Sequence, residues 1–144
     1  MSDWTLDDIA EKLRDIDFAM LLTQSESGEI AARPMSNNRE VEYDGDSYFF
    51  TLEETDMVAH IERNSKVALS YAGNKGLLGK PPMFIAMRGV AELIRDKDRF
   101  AAHWSEDLER WFEDGVDTPG LVLIKVHADR IHYWDGEDDG ELEV

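Results

Sequence analysis

Ile30-Ala31-Ala32-Arg33-Pro34-Met35-Ser36 and Ser47-Tyr48-Phe49-Phe50-Thr51 are the two stretches that decide how this 144-residue chain folds. Both are apolar and strand-favouring, and the Asp44-Gly45-Asp46 between them is a tight-turn signal, so they read as neighbouring antiparallel strands. A strand interior normally holds neither an arginine nor a proline. Proline has no N–H to give the ladder, which puts Pro34 at an edge, at a bulge, or where another molecule meets the backbone. Arg33 beside it offers a fork of donors to an anion. Downstream, Thr55 and Asp56 open a predicted helix whose free N–H groups and dipole favour negative charge. An arginine, a strand edge and a helix N-terminus are then expected to face one space. A surface arginine beside a fortuitous edge proline is the alternative these residues leave open.

Composition narrows the partners. The formal net charge of −17 opposes nucleic acid or an anionic membrane, either of which would be repelled at long range. The charge is uneven: residues 60–100 carry a local net of +4, leaving −21 for the rest, so an anionic small molecule has one favourable region. The absence of cysteine excludes disulfides, thiolate metal sites and thiol nucleophiles. Met1-Ser2-Asp3-Trp4 lacks a basic segment followed by an apolar core, and no apolar run approaches membrane-spanning length. The expectation is one cytoplasmic domain over residues 1–135, with an acidic, solvated and frayed tail over 136–144.

Along the chain, residues 5–16 repeat apolar positions at Leu6, Ile9, Ala10, Leu13 and Ile16 behind a Thr5/Asp8 capping box, predicting an amphipathic first helix. Residues 18–24 read as a buried strand turned by 25–29 into the Arg33 strand, and 41–44 as an extension before the Asp-Gly turn. A short helix is predicted over 55–64, with Val58 and Ile61 inward, and a strand over 66–71. The loop 73–82 has glycines and a lysine but not the spacing of a phosphate loop. Residues 83–94 read as a strand covered on both faces, by the core and by a helix or a second subunit. Residues 96–112 read as a helical pair packing Phe100, Trp104, Trp111 and Phe112 on the sheet, and 121–134 as the last long strand or strand pair. Many short strands with few helices predict a mainly β fold, a barrel with peripheral helices.

Arg33-Pro34-Met35, Phe49-Phe50-Thr51, Lys66 to Tyr71, Arg88-Gly89-Val90-Ala91, Trp104, Trp111-Phe112, Gly115 and Tyr133-Trp134-Asp135 together resemble the FMN-binding split-barrel family, the pyridoxamine 5'-phosphate oxidase-related proteins, and in particular their general-stress-protein branch. The resemblance covers nearly the whole chain. It implies a six-stranded antiparallel split barrel that forms a homodimer, with FMN, or FAD in its place, in grooves at the subunit interface. Carried over residue by residue, it implies that Arg33, Pro34, Met35 and Ser36 meet the flavin by side chain and backbone, Arg33 towards the phosphate. Phe50 and Thr51 would line the ring or ribityl region, and Thr55 and Asp56 would approach the phosphate. Trp104, Trp111 and Trp134 would come from the other subunit.

Two departures from the family pattern matter. Many relatives place a lysine where this chain has Met57, and that lysine helps neutralise the phosphate. True pyridoxamine 5'-phosphate oxidases end in an arginine-rich segment, whereas here the last residues are Gly140-Glu141-Leu142-Glu143-Val144, so vitamin B6 oxidation is not expected. The four histidines, His60 among them, lack metal-site spacing and read as surface or packing residues, and no hydrolase elbow or dinucleotide fingerprint occurs. A chain without an evident nucleophile can still be an enzyme when a cofactor does the chemistry. The expected function is therefore a flavin-binding, general-stress-type protein, as an oxidoreductase on a small substrate. The alternatives are a carrier or sensor without turnover, or a split barrel whose cofactor site is vestigial or takes deazaflavin or haem.

Overall fold

A computed structural model describes residues 3–37, 43–73 and 81–144. Its frame is one seven-stranded antiparallel sheet: β1 (Phe18–Gln24), β2 (Ile30–Ser36), β3 (Asp46–Leu52), β4 (Lys66–Ala72), β5 (Phe84–Ile94), β6 (Leu121–Asp135) and β7 (Asp138–Glu143). Helices α1 (Leu6–Leu13), α2 (Asp56–Arg63) and α3 (Lys97–His103) lie at its periphery. The spatial order is β2-β1-β4-β5-β6-β3, with β7 also on β6. This is the expected split-barrel β fold with peripheral helices. None of the described helices is long and apolar enough to cross a membrane.

The two deciding stretches are strands, but they are not neighbours. β2 pairs with β1 through the turn at Gly28 (φ 90°), whereas β3 pairs with β6, from Asp46 opposite His127 to Leu52 opposite Leu121. Side chains alternate across a strand, so Phe49 and Phe50 lie on opposite faces of β3. Both are buried, and β3 therefore needs a neighbour that is apolar on both faces. Leu121-Val122-Leu123-Ile124 of β6 is that neighbour, all four residues buried. Cover on both faces thus belongs to β3 and the first half of β6. On β5 the inner residues Ile85 and Met87 are buried while Phe84, Arg88 and Val90 face outward and are exposed in the single chain, so the single chain covers 83–94 on its core face.

Pro34 sits on the terminal strand of the sheet path. The Ser25 N–H donates to Glu29 O and the Asn37 N–H to Asp17 O, which fixes the hydrogen-bonded pairs at odd positions of β1. Met20 opposite Pro34 is then a pair without ladder bonds, and the missing proline N–H costs nothing. The outward backbone groups of Ala32 and Ser36 lie along the same edge, against which no described strand pairs.

The acidic tail is ordered. Gly136 adopts φ 66°, the chain reverses, and Asp138–Glu143 pairs with β6 from Asp135 to Arg130. Arg130 donates to Glu141 at 2.7 Å and to Glu143 at 2.6 Å, giving the acidic strand a cation to lie against. The Arg130 hydrogen bond holds the Glu141 carboxyl below the ordinary glutamate range. β7 is thus a seventh strand beyond the six expected.

Two hydrophobic clusters result. The main core joins the inner face of the sheet with Ile9 and Leu13 of α1 and Met57 and Ile61 of α2. The first helix has its capping box, with Asp8 N–H donating to Thr5 Oγ1 and Thr5 N–H to the Asp8 carboxylate. A second core gathers Phe50, Phe100, Leu108, Leu121 and Leu123, with Trp104 and Phe112 packed against it. Residues 96–112 are α3 followed by a 3-10 turn (Glu106–Arg110) rather than two helices. The chain leaves α3 at Trp104 in extended conformation, and its indole meets the Phe50 ring at 5.0 Å. Half of the extension expected over 41–44, and most of the loop over 73–82, lie outside the described residues.

The β5–β6 register shifts between Arg88 and Gly89. A Cβ on Gly89 would stand 2.1 Å from the His127 carbonyl oxygen, so only glycine permits the two backbones to approach. Gly89→Ala is expected to lower the urea midpoint by the equivalent of about 3 kcal/mol or to prevent folding; an unchanged midpoint would show that the bulge relaxes freely. Phe50→Ala is expected to cost about 3–5 kcal/mol, as for other buried aromatics. Trp111→Ala, at a side chain 57% exposed, should stay within about 0.5 kcal/mol. Equal effects of the two in thermal or urea unfolding would contradict the second core.

Candidate functional site

Arg33 is on the inward phase of β2, with Ala31 and Met35, and stands opposite Leu21 of β1. Two residues along β1, Thr23 occupies the same inward phase as Ala19 and Leu21 and is only 2% exposed. Arg33 Nη1 donates to Thr23 Oγ1 at 2.7 Å. The same oxygen lies 2.8 Å from His60 Nδ1 on α2. A strand arginine is thereby tied to a helix histidine through one buried hydroxyl.

Asp56, one turn before His60, completes the group. Burial lowers the pKa of Arg33 and the Asp56 carboxylate opposes that shift, so the two charges are close enough to interact. Among the described residues the guanidinium makes no hydrogen bond besides that to Thr23. Arg33, on the terminal strand, thus reaches α2 through Thr23 and His60 and interacts with Asp56 at its first position.

The helix start differs from expectation in one respect. Thr55 occupies the N-cap position, but its side chain makes no capping bond. Its hydroxyl donates back to Leu52 O at 3.0 Å and stands 3.5 Å from the buried Thr51 hydroxyl. The first-turn N–H groups of α2 are therefore not engaged by Thr55.

The other anticipated residues are dispersed. Met35 is buried in the main core, so only its backbone faces outward, while Pro34 and Ser36 lie on the outer phase of β2. Phe50 and Trp104 pack against each other in the second core, Phe50 being 7% exposed. Trp111 is on the surface beside Arg110, and Trp134 lies on the outer sheet face stacked on His132 at 4.0 Å. Met57, where the resemblance places a lysine, is 5% exposed and points into the main core.

Sequence reading did not single out Thr23, and it read His60 as a surface or packing residue; the structure has His60 half-buried against Thr23. The signal for Thr23 was a polar residue in the inward phase of an otherwise apolar alternation; that for His60 was its four-residue spacing from Asp56, which places the two on one helix face. One hydroxyl of the set, Thr23, stands against a base, His60, but it is 2% exposed and committed to Arg33, and among the described residues no group of three or more His, Asp or Glu side chains could hold a metal ion. What the set gathers is a pinned guanidinium beside a helix start without a side-chain cap, both of them hydrogen-bond donors.

Solved structures share this architecture. A protein from Clostridium acetobutylicum related to general stress protein 26 of B. subtilis, of the pyridoxinephosphate oxidase family, superposes with a TM-score of 0.80 at 18% identity, over 96% of this chain and 94% of that one. General Stress Protein 26 from Bacillus anthracis gives 0.76 at 24% identity, over 96% and 98%. A heme binding protein from Mycobacterium smegmatis gives 0.74 at 14% identity, over 99% of this chain and 60% of that one. At these identities the likeness establishes the fold. No curated protein matches the sequence. The sequence model of the family described as pyridoxamine 5'-phosphate oxidase like matches residues 5–144, and the chain belongs to that family.

Proposed function

We propose that the protein binds FMN, its phosphate held by Arg33 at the start of α2, and acts as a flavin-dependent oxidoreductase on a small substrate. The observation that carries this reading is the pinned guanidinium. Arg33 is fixed at one nitrogen by Thr23, and it sits on a sheet edge next to a helix start that lacks a side-chain cap. The guanidinium fork and the N–H groups of the first turn of α2 are donors of the kind a phosphate monoester takes. The outward backbone groups of Ala32 and Ser36 suit the edge of a heterocycle. Asp56 limits the affinity, since it supports the guanidinium and also opposes an incoming dianion. When bound, a flavin supplies a ring that accepts and returns hydride; the chain's own residues bind, orient and shield it. A carrier without turnover would use the same residues, and reduction by NADPH followed by repeated reoxidation separates the two.

The proposal includes a homodimer formed through the outer sheet face. Phe18 and Met20 of β1, Ile30 of β2, Phe84 and Val90 of β5 and Trp134 of β6 are all exposed there, Ile30 at 71%. Cross-strand pairing brings Pro34 against Met20 and Phe84 against Trp134 on this face. Large exposed apolar side chains on one sheet face of a chain of net charge −17 call for a partner, and a second copy is the one the resemblance implies.

Titration of cofactor-stripped protein with FMN, followed by flavin fluorescence, is expected to saturate at micromolar concentration. Arg33→Ala should weaken binding by roughly one to two decades, the equivalent of a lost charge-assisted contact of about 1.5–3 kcal/mol. No saturable binding by the wild type would sink the flavin reading. In sedimentation equilibrium the wild type should be dimeric and Met20→Asp shifted towards monomer; a monomeric wild type would remove the interface.

A further inference from the structure

We propose that Thr23 and His60 are positioning residues that hold the Arg33 guanidinium for an anionic ligand, and that they hold it most firmly while His60 Nδ1 carries no proton. The inference deepens the phosphate site proposed above and rests on it. It follows from counting protons. A guanidinium only donates, so Thr23 Oγ1 accepts from Arg33 at 2.7 Å. The hydroxyl has a single proton of its own, and His60 Nδ1 is 2.8 Å from the same oxygen. If Thr23 donates to Nδ1, the chain runs in one direction, Arg33 to Thr23 to His60, and every atom is matched. If Nδ1 carries a proton, both neighbours donate to the oxygen, which its two lone pairs allow, but the Thr23 proton is then left without an acceptor among the described residues, at a side chain 2% exposed. Protonating the ring also sets a second positive charge beside Arg33.

The surrounding charges do not supply a substitute. Asp56 lies one turn before His60 and interacts with Arg33. Arg63, next on the helix, is ion-paired with Glu26 at the β1–β2 turn. Arg95, just beyond β5, is held by Glu53 and Glu62. On the β1 side the neighbours are neutral, Asn64 donating to Gln24 at 2.9 Å. Among the described residues Thr23 is thus the one hydroxyl joining Arg33 to α2, and the state of His60 decides how firmly it holds the fork.

The test is an FMN titration of the full chain at about pH 8 and about pH 5.5, spanning the range in which histidines ordinarily protonate. His60→Ala is expected to weaken FMN binding about tenfold at the higher pH, and Thr23→Val about as much. His60→Asn should rescue the affinity, because its side-chain oxygen stands where Nδ1 accepts and cannot be protonated there. The phosphate of FMN has its own ionisation near pH 6, common to all variants. The reading is therefore the difference between profiles: wild type should lose about tenfold more affinity on acidification than His60→Asn. Nitrogen-15 spectra of the ligand-free wild type should show the His60 proton on Nε2 at the higher pH, with the preference lost in Thr23→Val. A wild type that binds FMN but parallels His60→Asn across pH, or whose ring carries its proton on Nδ1, overturns the positioning role alone. A wild type that binds no FMN at either pH overturns the phosphate site and this proposal together.

Discussion

β6 is the strand on which the barrel depends. At fifteen residues it pairs with β5 along one side and carries β3 and β7 in succession along the other. The two successive partners meet near Ala128 and Asp129: the Ala128 N–H donates to Gly45 O at 2.9 Å, and the Val144 N–H to Asp129 O at 3.0 Å. The register shift at Gly89 falls at the same level of the sheet. One long strand can serve two shorter ones only if it changes course between them, and a bulge opposite a glycine is how the ladder absorbs that change.

The site inherits its geometry from this frame. α2 follows β3, so fixing β3 against β6 fixes where the helix begins. β1 and β2, at the far end of the sheet path, bring Thr23 and Arg33 to that helix, and the barrel's curl is what lets opposite ends of the path contribute to one group of side chains. Burial of Arg33 is unfavourable by itself, as its lowered pKa records, and it is tolerated because Thr23 accepts one proton and Asp56 supplies the opposing charge. An arginine held this way has less side-chain freedom to lose when an anion arrives.

Strands were legible wherever one face is buried. The alternation in β1 and β4 and the capping box of α1 are local signals, and local signals decide local structure. Pairing is not local. Asp44-Gly45-Asp46 does turn the chain, with Gly45 at φ 110°, yet the turn delivers β3 to β6 rather than back to β2. What selected the partner was the two-sided apolar character of Phe49-Phe50, visible in the sequence but matched only by residues far downstream. The tail misled for a related reason: its composition suits a solvated coil, and the arginine that orders it is on another strand. Of the candidate site, the approach of Arg33 to α2 was legible from residue chemistry, whereas Phe50 and Trp104 lie in a core that no short-range pattern displays.

The pairing of β3 has a consequence for the chain while it is being made. Its ladder partner follows roughly seventy residues later, so a ribosome finishes β3 long before β6 exists. In that interval Tyr48-Phe49-Phe50-Thr51-Leu52 is an exposed apolar strand with free edges, the kind of segment that pairs with the wrong neighbour. Asp44 and Asp46 precede it and Glu53 and Glu54 follow it, charges that discourage such pairing from either end. In the folded chain two of these same charges are engaged again, Glu53 with Arg95 and Asp46 with His127.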